Sequence, residues 1–455
     1  MPVLQKKSRN FSPTRTIALS FILVILTGTA LLMLPISSNS GEFTPFTHSL
    51  FTATSATCVT GLVIYDTLQH WSAFGQGIIL LMIQIGGLGL VTFVAFFNFF
   101  IGKKLGLRRI QVATESVNAS GFNDVRGLVG NIIKICLVTE AIGAVLLMPV
   151  FIPKYGVAGI FKSIFISISA YCNAGFDILG DSTAFASLTE FASNPYIVII
   201  VMLLIISGGL GFVVWYDLLN YRKTKHLELH SKIILIFTGL LVVVGGIIFL
   251  ILEWNNTKTI ADMNFGDKVV NSFFQSVTCR TAGFNTIDTA SLNPMSKVFS
   301  IMLMFIGAAP GSTGGGIKIT TAVVILMTVI SVLQNKDDTI ILGRKVDKTT
   351  VYKSLTIIML SITIVAVSTL TIFNSLKETA GVSGLDSLFE TVSAFATVGL
   401  SVGVTSVANL LVELILIFVM FLGRVGPISV ALFLVIKNAD KTKKQVYPEG
   451  KILVG

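Results

Sequence analysis

Asn271-Ser272-Phe273, running on to Thr281-Ala282-Gly283-Phe284, is one of four copies of a short pattern in this chain. The others are Ser49-Leu50-Phe51 to Thr60-Gly61-Leu62, Ser163-Ile164-Phe165 to Ala174-Gly175-Phe176, and Ser387-Leu388-Phe389 to Val398-Gly399-Leu400. In every copy a Phe stands ten residues before a glycine, the residue five before it is small (Ala56, Ala170, Thr278, Ala394), and Leu or Phe follows it. The glycines lie 114, 108 and 116 residues apart, so each copy heads about a quarter of the chain.

Each copy sits between two apolar stretches long enough to cross a bilayer, which takes about 20 residues. Ahead of the glycines these are Ile17–Ile36, Leu128–Ile152, Ile233–Leu252 and Leu355–Phe373; behind them, Gly77–Ile101, Tyr196–Leu219, Val298–Leu333 and Leu410–Ile436. The segment between is too short to span. It fits a helix that enters the membrane halfway, followed by an extended stretch near the glycine. The expected fold is therefore an all-α membrane protein, four helix–pore loop–helix repeats around a pseudo-fourfold axis. The repeats are 17–102, 128–220, 232–334 and 353–436, with cytoplasmic ends 1–16 and 437–455.

Composition agrees. Hydrophobic residues make up 53% of the chain and charged ones 12%, against about a quarter in soluble domains, and mean hydropathy is +0.84. The net charge of +10 is unevenly placed. Of 33 Lys and Arg, 23 fall in five segments: Lys6 to Arg15, Lys103 to Arg126, Arg222 to Lys232, Lys336 to Lys353, and the tail from Lys437. The polar stretches around the pore loops are acidic, with Asp66, Asp177, Asp288 and Asp386 among them. Basic loops mark the cytoplasmic side, so basicity reads as topology and not as a nucleic-acid surface. Ile17–Leu34 exceeds a signal-peptide core and lacks a small-residue cleavage site, so it reads as a retained span. Cys58, Cys136, Cys172 and Cys279 form no CxxC and read as packing residues.

A cation entering the membrane needs its water replaced, and a ring of backbone carbonyls does this at least cost. Glycine reaches the unusual dihedrals such a ring demands. The preceding helix adds a dipole end. Gly86, Gly87 and Gly89, and Gly208, Gly209 and Gly211, read instead as helix-packing glycines.

The segments Thr57-Cys58-Val59-Thr60-Gly61-Leu62, Asn173-Ala174-Gly175-Phe176, Thr278-Cys279-Arg280-Thr281-Ala282-Gly283-Phe284-Asn285 and Ala396-Thr397-Val398-Gly399-Leu400 resemble the four filter segments of the Ktr/Trk/HKT potassium transporters. The resemblance covers nearly the whole chain. The closing Tyr447-Pro448-Glu449-Gly450-Lys451 is most similar to the bacterial Ktr membrane subunit (KtrB-like). Cys279 stands where many relatives carry proline. The resemblance implies potassium uptake through a selectivity filter at Thr60, Gly61, Asn173, Ala174, Gly175, Ala282, Gly283, Val398 and Gly399. Four glycines imply preference for potassium, and a sodium-coupled or poorly selective cation transporter is the alternative. It also implies a homodimer, sodium as an activator, and a KtrA-like cytoplasmic ring of nucleotide-binding subunits docking on Arg222–Lys232 and Lys336–Lys353, with nucleotide on that partner alone.

Irregular backbone at membrane depth is tolerated only where it is buried in protein or lines a cavity. Gly307-Ala308-Ala309-Pro310-Gly311-Ser312-Thr313-Gly314-Gly315-Gly316 breaks the second span of the third repeat and, on this reading, of no other. It is expected to be a gate, followed by Lys318 and faced by Arg424, as the family implies. Arg280, three residues before Gly283, is expected to pair with Glu390, because ionisable residues inside a membrane are costly unless partnered. Lys134 and Glu140 are six apart and share no helical face; Glu140 should pair elsewhere. The loop misses GxxxxGK[ST] by one place, and His226 and His230 lie in a basic connector without further ligands. An intramembrane enzyme would need clustered carboxylates or histidines, and the sequence offers none.

Overall fold

The computed structural model describes residues 13–89 and 125–426. The N-terminal residues 1–12, the connector 103–124, the tail 437–455, and the ends of two second spans, 90–101 and 427–436, lie outside the described residues. In repeat 1, α1 (Pro13–Leu32) leads to α2 (Phe46–Cys58), a single turn α3 (Thr67–His70), and α4 (Ala73–Leu88). Repeat 2 holds α5 (Val125–Tyr155), α6 (Ala158–Tyr171), α7 (Pro195–Gly209) and α8 (Phe212–Thr224). Repeat 3 has α9 (Leu229–Glu253), α10 (Phe265–Thr278), α11 (Pro294–Phe305) and α12 (Ile319–Leu333). A two-residue hairpin, β1 (Ile340–Ile341) with β2 (Arg344–Lys345), precedes repeat 4: α13 (Lys348–Leu376), α14 (Gly384–Ala396) and α15 (Leu410–Val425).

The pore helices α2, α6, α10 and α14 are 13 or 14 residues long. At 1.5 Å per residue they reach about 20 Å, short of a ~30 Å hydrocarbon core. Start signals are local: the side chains of Asn264 and Ser383 cap α10 and α14, and those of Ser72, Asn194 and Asn409 cap α4, α7 and α15. α5, α9 and α13 are long and apolar enough to cross a membrane unbroken.

The helices close into a ring. Each pore helix packs on the first helix of its own repeat, α1 on α2, α5 on α6, α9 on α10 and α13 on α14. The second span of each repeat then packs on the pore helix of the next: α4 on α6, α7 on α10, α11 on α14, and α15 back on α2.

The sequence reading of one broken second span needs correction. Repeat 2 is broken as well, with α7 and α8 meeting at 95° across Leu210-Gly211. Gly211 adopts φ 90°, and its neighbours Gly208 and Gly209 do also pack closely, Gly208 against the Tyr171 carbonyl. In repeats 1 and 4 the described helices end at Gly89 and Gly426, with φ 77° and 94°.

Candidate functional site

Each pore helix ends in the same way. The residue two before the glycine takes a left-handed conformation: Val59 at φ 58°, Asn173 at 57°, Thr281 at 70° and Thr397 at 52°. The glycines follow at φ 95°, 69°, 80° and 93°. Three of the four left-handed residues are β-branched, and such strain persists only where surrounding structure imposes it.

Backbone and hydroxyl bonds hold each turn to its own helix. The amides of Thr60, Ala174 and Val398 donate to the carbonyls of Ser55, Ser169 and Ser393, each at 2.8 Å, and that of Ala282 to Thr278 at 3.0 Å. Ser55 and Ser393 hydroxyls accept from the amides of Gly61 (3.0 Å) and Gly399 (3.1 Å). Ser169 and Thr278 hydroxyls donate to the Phe176 and Phe284 carbonyls at 2.6 and 2.5 Å. Sequence reasoning missed these serines, though Ser-Ala recurs at 55–56, 169–170 and 393–394.

The four glycines meet. A Cβ added to Gly61 would lie 2.5 Å from the Ala174 carbonyl oxygen, and one on Gly175 2.9 Å from that of Ala282. One on Gly283 would strike the Val398 oxygen, and one on Gly399 the Thr60 oxygen. The contacts run in a circle, repeat 1 to 2 to 3 to 4 to 1. Among the described residues the carbonyls of Thr60, Ala174, Ala282 and Val398 accept no hydrogen bond, although buried carbonyls are almost always paired. Four such oxygens in a ring can act as ligands for a desolvated cation.

On one side the ring floors a cavity of about 270 Å³ whose lining includes Asp66, Asp177 and Asp288. Asp177 lies in the loop between α6 and α7, outside the spans, and burial pushes its carboxyl up to about 7.

On the other side lies the 307–316 loop, bound to all three other repeats. Towards repeat 2, the amides of Ala309 and Thr313 donate to Gly209 (3.1 Å) and Gly208 (3.3 Å), and the Thr313 hydroxyl to Tyr171 O (3.2 Å). Gly311 O in turn accepts from Phe212 N (2.8 Å). Towards repeat 4, the Gly315 amide donates to the Thr397 hydroxyl (3.0 Å) and that of Gly316 to Gly423 O (3.3 Å). Arg424 joins repeat 1, its guanidinium donating to Thr313 O and Gly86 O. Lys318 Nζ donates to Gly314 O at 2.7 Å. The loop backs onto the helix ends of the ring, since a Cβ at Gly314 would meet Thr281 and one at Gly315 would meet Thr397. Gly307, whose amide donates to Ile317 O at 2.8 Å, and Ser312, whose hydroxyl donates to Ala309 O at 2.6 Å, brace the loop internally.

The expected Arg280–Glu390 pair does not form. Arg280 Nη2 donates to Thr238 on α9 at 3.2 Å. Glu390 accepts from Ser401 Oγ (2.7 Å), Val402 N (3.2 Å), Thr405 N (3.1 Å) and the Thr405 hydroxyl. Depth separates them: Arg280 stands three residues before its glycine and Glu390 nine before its own, a difference of about 9 Å along a helix. Glu140 does find a partner elsewhere, Gln84 Nε2 at 3.0 Å.

Residues 5–445 match the family model described as TrkH, cation transport protein. The chain is 40% identical to the potassium/sodium uptake protein NtpJ of Enterococcus hirae, covering 100% of both chains. It is 38% identical to the Ktr system potassium uptake protein B of Bacillus subtilis, over 98% of this chain and 97% of that one. Among solved structures, the potassium transporter TrkH from Vibrio parahaemolyticus superposes with a TM-score of 0.73 at 17% identity, over 94% of this chain and 86% of that one, which is a likeness of fold.

Proposed function

This chain belongs to the TrkH family of cation transport proteins, a family of membrane transporters and not of enzymes, and from that premise we propose that it conducts potassium into the cell through its own four-repeat bundle. The observation that carries the reading is the closed ring of four positive-φ glycines with four unpaired carbonyls. The filter consists of Thr60, Gly61, Asn173, Ala174, Gly175, Ala282, Gly283, Val398 and Gly399. The 307–316 loop, clamped by Arg424 and Lys318, is the gate on the cytoplasmic side, where the basic connectors place both termini. The acidic cavity is then the outer vestibule. A homodimer, sodium as activator, and a nucleotide-binding ring docked on Arg222–Lys232 and the hairpin-bearing Lys336–Lys353 complete the proposal. The name of the Enterococcus relative, a potassium/sodium uptake protein, favours one second reading, weak discrimination or sodium coupling. Rubidium and sodium fluxes compared in proteoliposomes decide between them: a strong rubidium preference supports the filter, and equal fluxes support the alternative.

The Thr397 hydroxyl is the loop's tie to the pore helix of repeat 4. One hydrogen bond is worth about 0.5–1.5 kcal/mol net, so Thr397→Val should raise partner-free rubidium flux about 2- to 10-fold. Unchanged flux would show that this tie does not hold the loop.

Asp177 should make uptake sensitive to external pH. Its carboxyl titrates near about 7, so it is neutral below that pH and charged above it, and the vestibule attracts cations more strongly as pH rises. Initial rubidium uptake should climb roughly twofold or more between about pH 6 and 8. Asp177→Asn should flatten that part of the rise.

A further inference from the structure

At the vestibule end of the seam where α15 closes onto α2, two of the chain's four histidines sit among groups the transport reading leaves unused. His48, in the first turn of α2, has Nε2 3.3 Å from Glu413 Oε1 and Nδ1 2.7 Å from the Tyr65 hydroxyl. Tyr65 stacks on His70 with ring centroids 4.0 Å apart, and His70 Nε2 lies 3.1 Å from Thr44 Oγ1. Glu413 is 5% exposed, and its second oxygen has no partner among the described residues. The His48 side chain is 27% exposed, so protons in solution reach it.

We propose that His48 and Glu413 form an external proton-binding site that damps potassium uptake in acid. The site rests on the transport reading above. A carboxylate only accepts, so Nε2 must carry the hydrogen towards Glu413, and in neutral His48 the other nitrogen accepts from Tyr65. Adding a proton turns the contact with Glu413 into a buried ion pair. It also makes Nδ1 a donor, so the Tyr65 oxygen becomes an acceptor and its O–H must turn to another partner. Tyr65 follows Gly61 by four residues. Glu413 lies eleven residues, about 16 Å of helix, from Arg424 on the same α15. One proton thus changes the outer limb of the filter and one end of the helix that clamps the loop, and adds positive charge beside the vestibule.

The groups facing His48 are Glu413 from α15, and Tyr65 and His70 from the loop and turn after the filter. α4 carries no charged residue, and the one in α1, Arg15, is at its far end. Burial, with His48 adding to it, holds His70 below the ordinary imidazole range, so His70 does not compete for the proton. Burial and Glu413 raise Tyr65, which stays a phenol. The ion pair forms only when His48 takes up a proton beside Glu413, so it is a feature of acid and is lost as protons are withdrawn.

Rubidium uptake by the full chain in proteoliposomes, with external pH varied and internal pH fixed, tests the site. The background is Asp177→Asn, so that the pH dependence assigned to Asp177 is removed. Uptake should still fall in acid in that background, and adding His48→Gln should abolish the fall. Glu413→Gln, which removes the charge that stabilises imidazolium, should move the fall to lower pH. If the His48 variant does not fold, the Glu413 variant decides: an unshifted profile overturns the site. So does an acid fall that persists with His48→Gln. Rubidium-selective uptake with an unaltered profile sinks this inference alone, whereas absence of uptake by the unmodified chain sinks the transport reading beneath it.

Discussion

Replacing Gly283 with serine is expected to leave the protein in the membrane and to cut its preference for potassium over sodium at least tenfold. Gly283 sits at φ 80°, where an L side chain is strained wherever there is room, and here there is none. Its Cβ would press on the Val398 carbonyl oxygen and lie 3.1 Å from Gly175 Cα and 3.3 Å from Gly399 Cα. The ring must open to admit it. In the filter we propose, discrimination rests on four oxygens held at a fixed separation, and a tenfold loss needs only about 1.4 kcal/mol of differential binding. Gly61→Ser should act alike, because its Cβ would lie 2.5 Å from Ala174 O. Relative rubidium and sodium fluxes check this, and unchanged ratios in both variants would remove the filter assignment.

The second large effect concerns the loop. Arg424→Ala should raise rubidium flux in the absence of any cytoplasmic partner by tenfold or more. Its guanidinium ties the loop at Thr313 to Gly86 of repeat 1, and hydrogen bonds from a charged donor are worth about 1.5–3 kcal/mol each. If the loop is the gate we propose, removing both shifts it towards open by more than one decade. Deleting 311–316 should act in the same direction. If instead either variant folds normally but conducts less, the loop is part of the pathway's wall and Arg424 a strut within it.

The four repeats were legible because each imposes the same local demand: a Phe on the pore helix, buried at Phe51, Phe165 and Phe389 and half-buried at Phe273, a small residue near its end, and a glycine where the chain must turn. The same spacing puts Gly61, Gly175, Gly283 and Gly399 at equivalent positions of the four repeats, and in the fold they meet in one circle. The break in repeat 2 was not legible, since hydropathy summed over a span does not register two residues, and Gly211 serves as a bend while Gly208 serves as a packing surface. The Arg280–Glu390 pairing failed for a different reason. Opposite charges on neighbouring repeats suggest a pair, but whether they meet depends on depth, and six residues of helix is further than either side chain reaches. The polar residues of the 401–405 turn, which satisfy Glu390 instead, carry no signal of their own in the sequence. Nor does the tie between His48 and Glu413, whose 365-residue separation is bridged only when the ring closes.

The central claim is that the four glycine segments form a cation-binding ring, and anomalous scattering from crystals of the full chain grown in rubidium tests it directly. A rubidium peak should appear on the axis between the carbonyls of Thr60, Ala174, Ala282 and Val398. Protein that transports rubidium yet shows its only ordered rubidium elsewhere would contradict it.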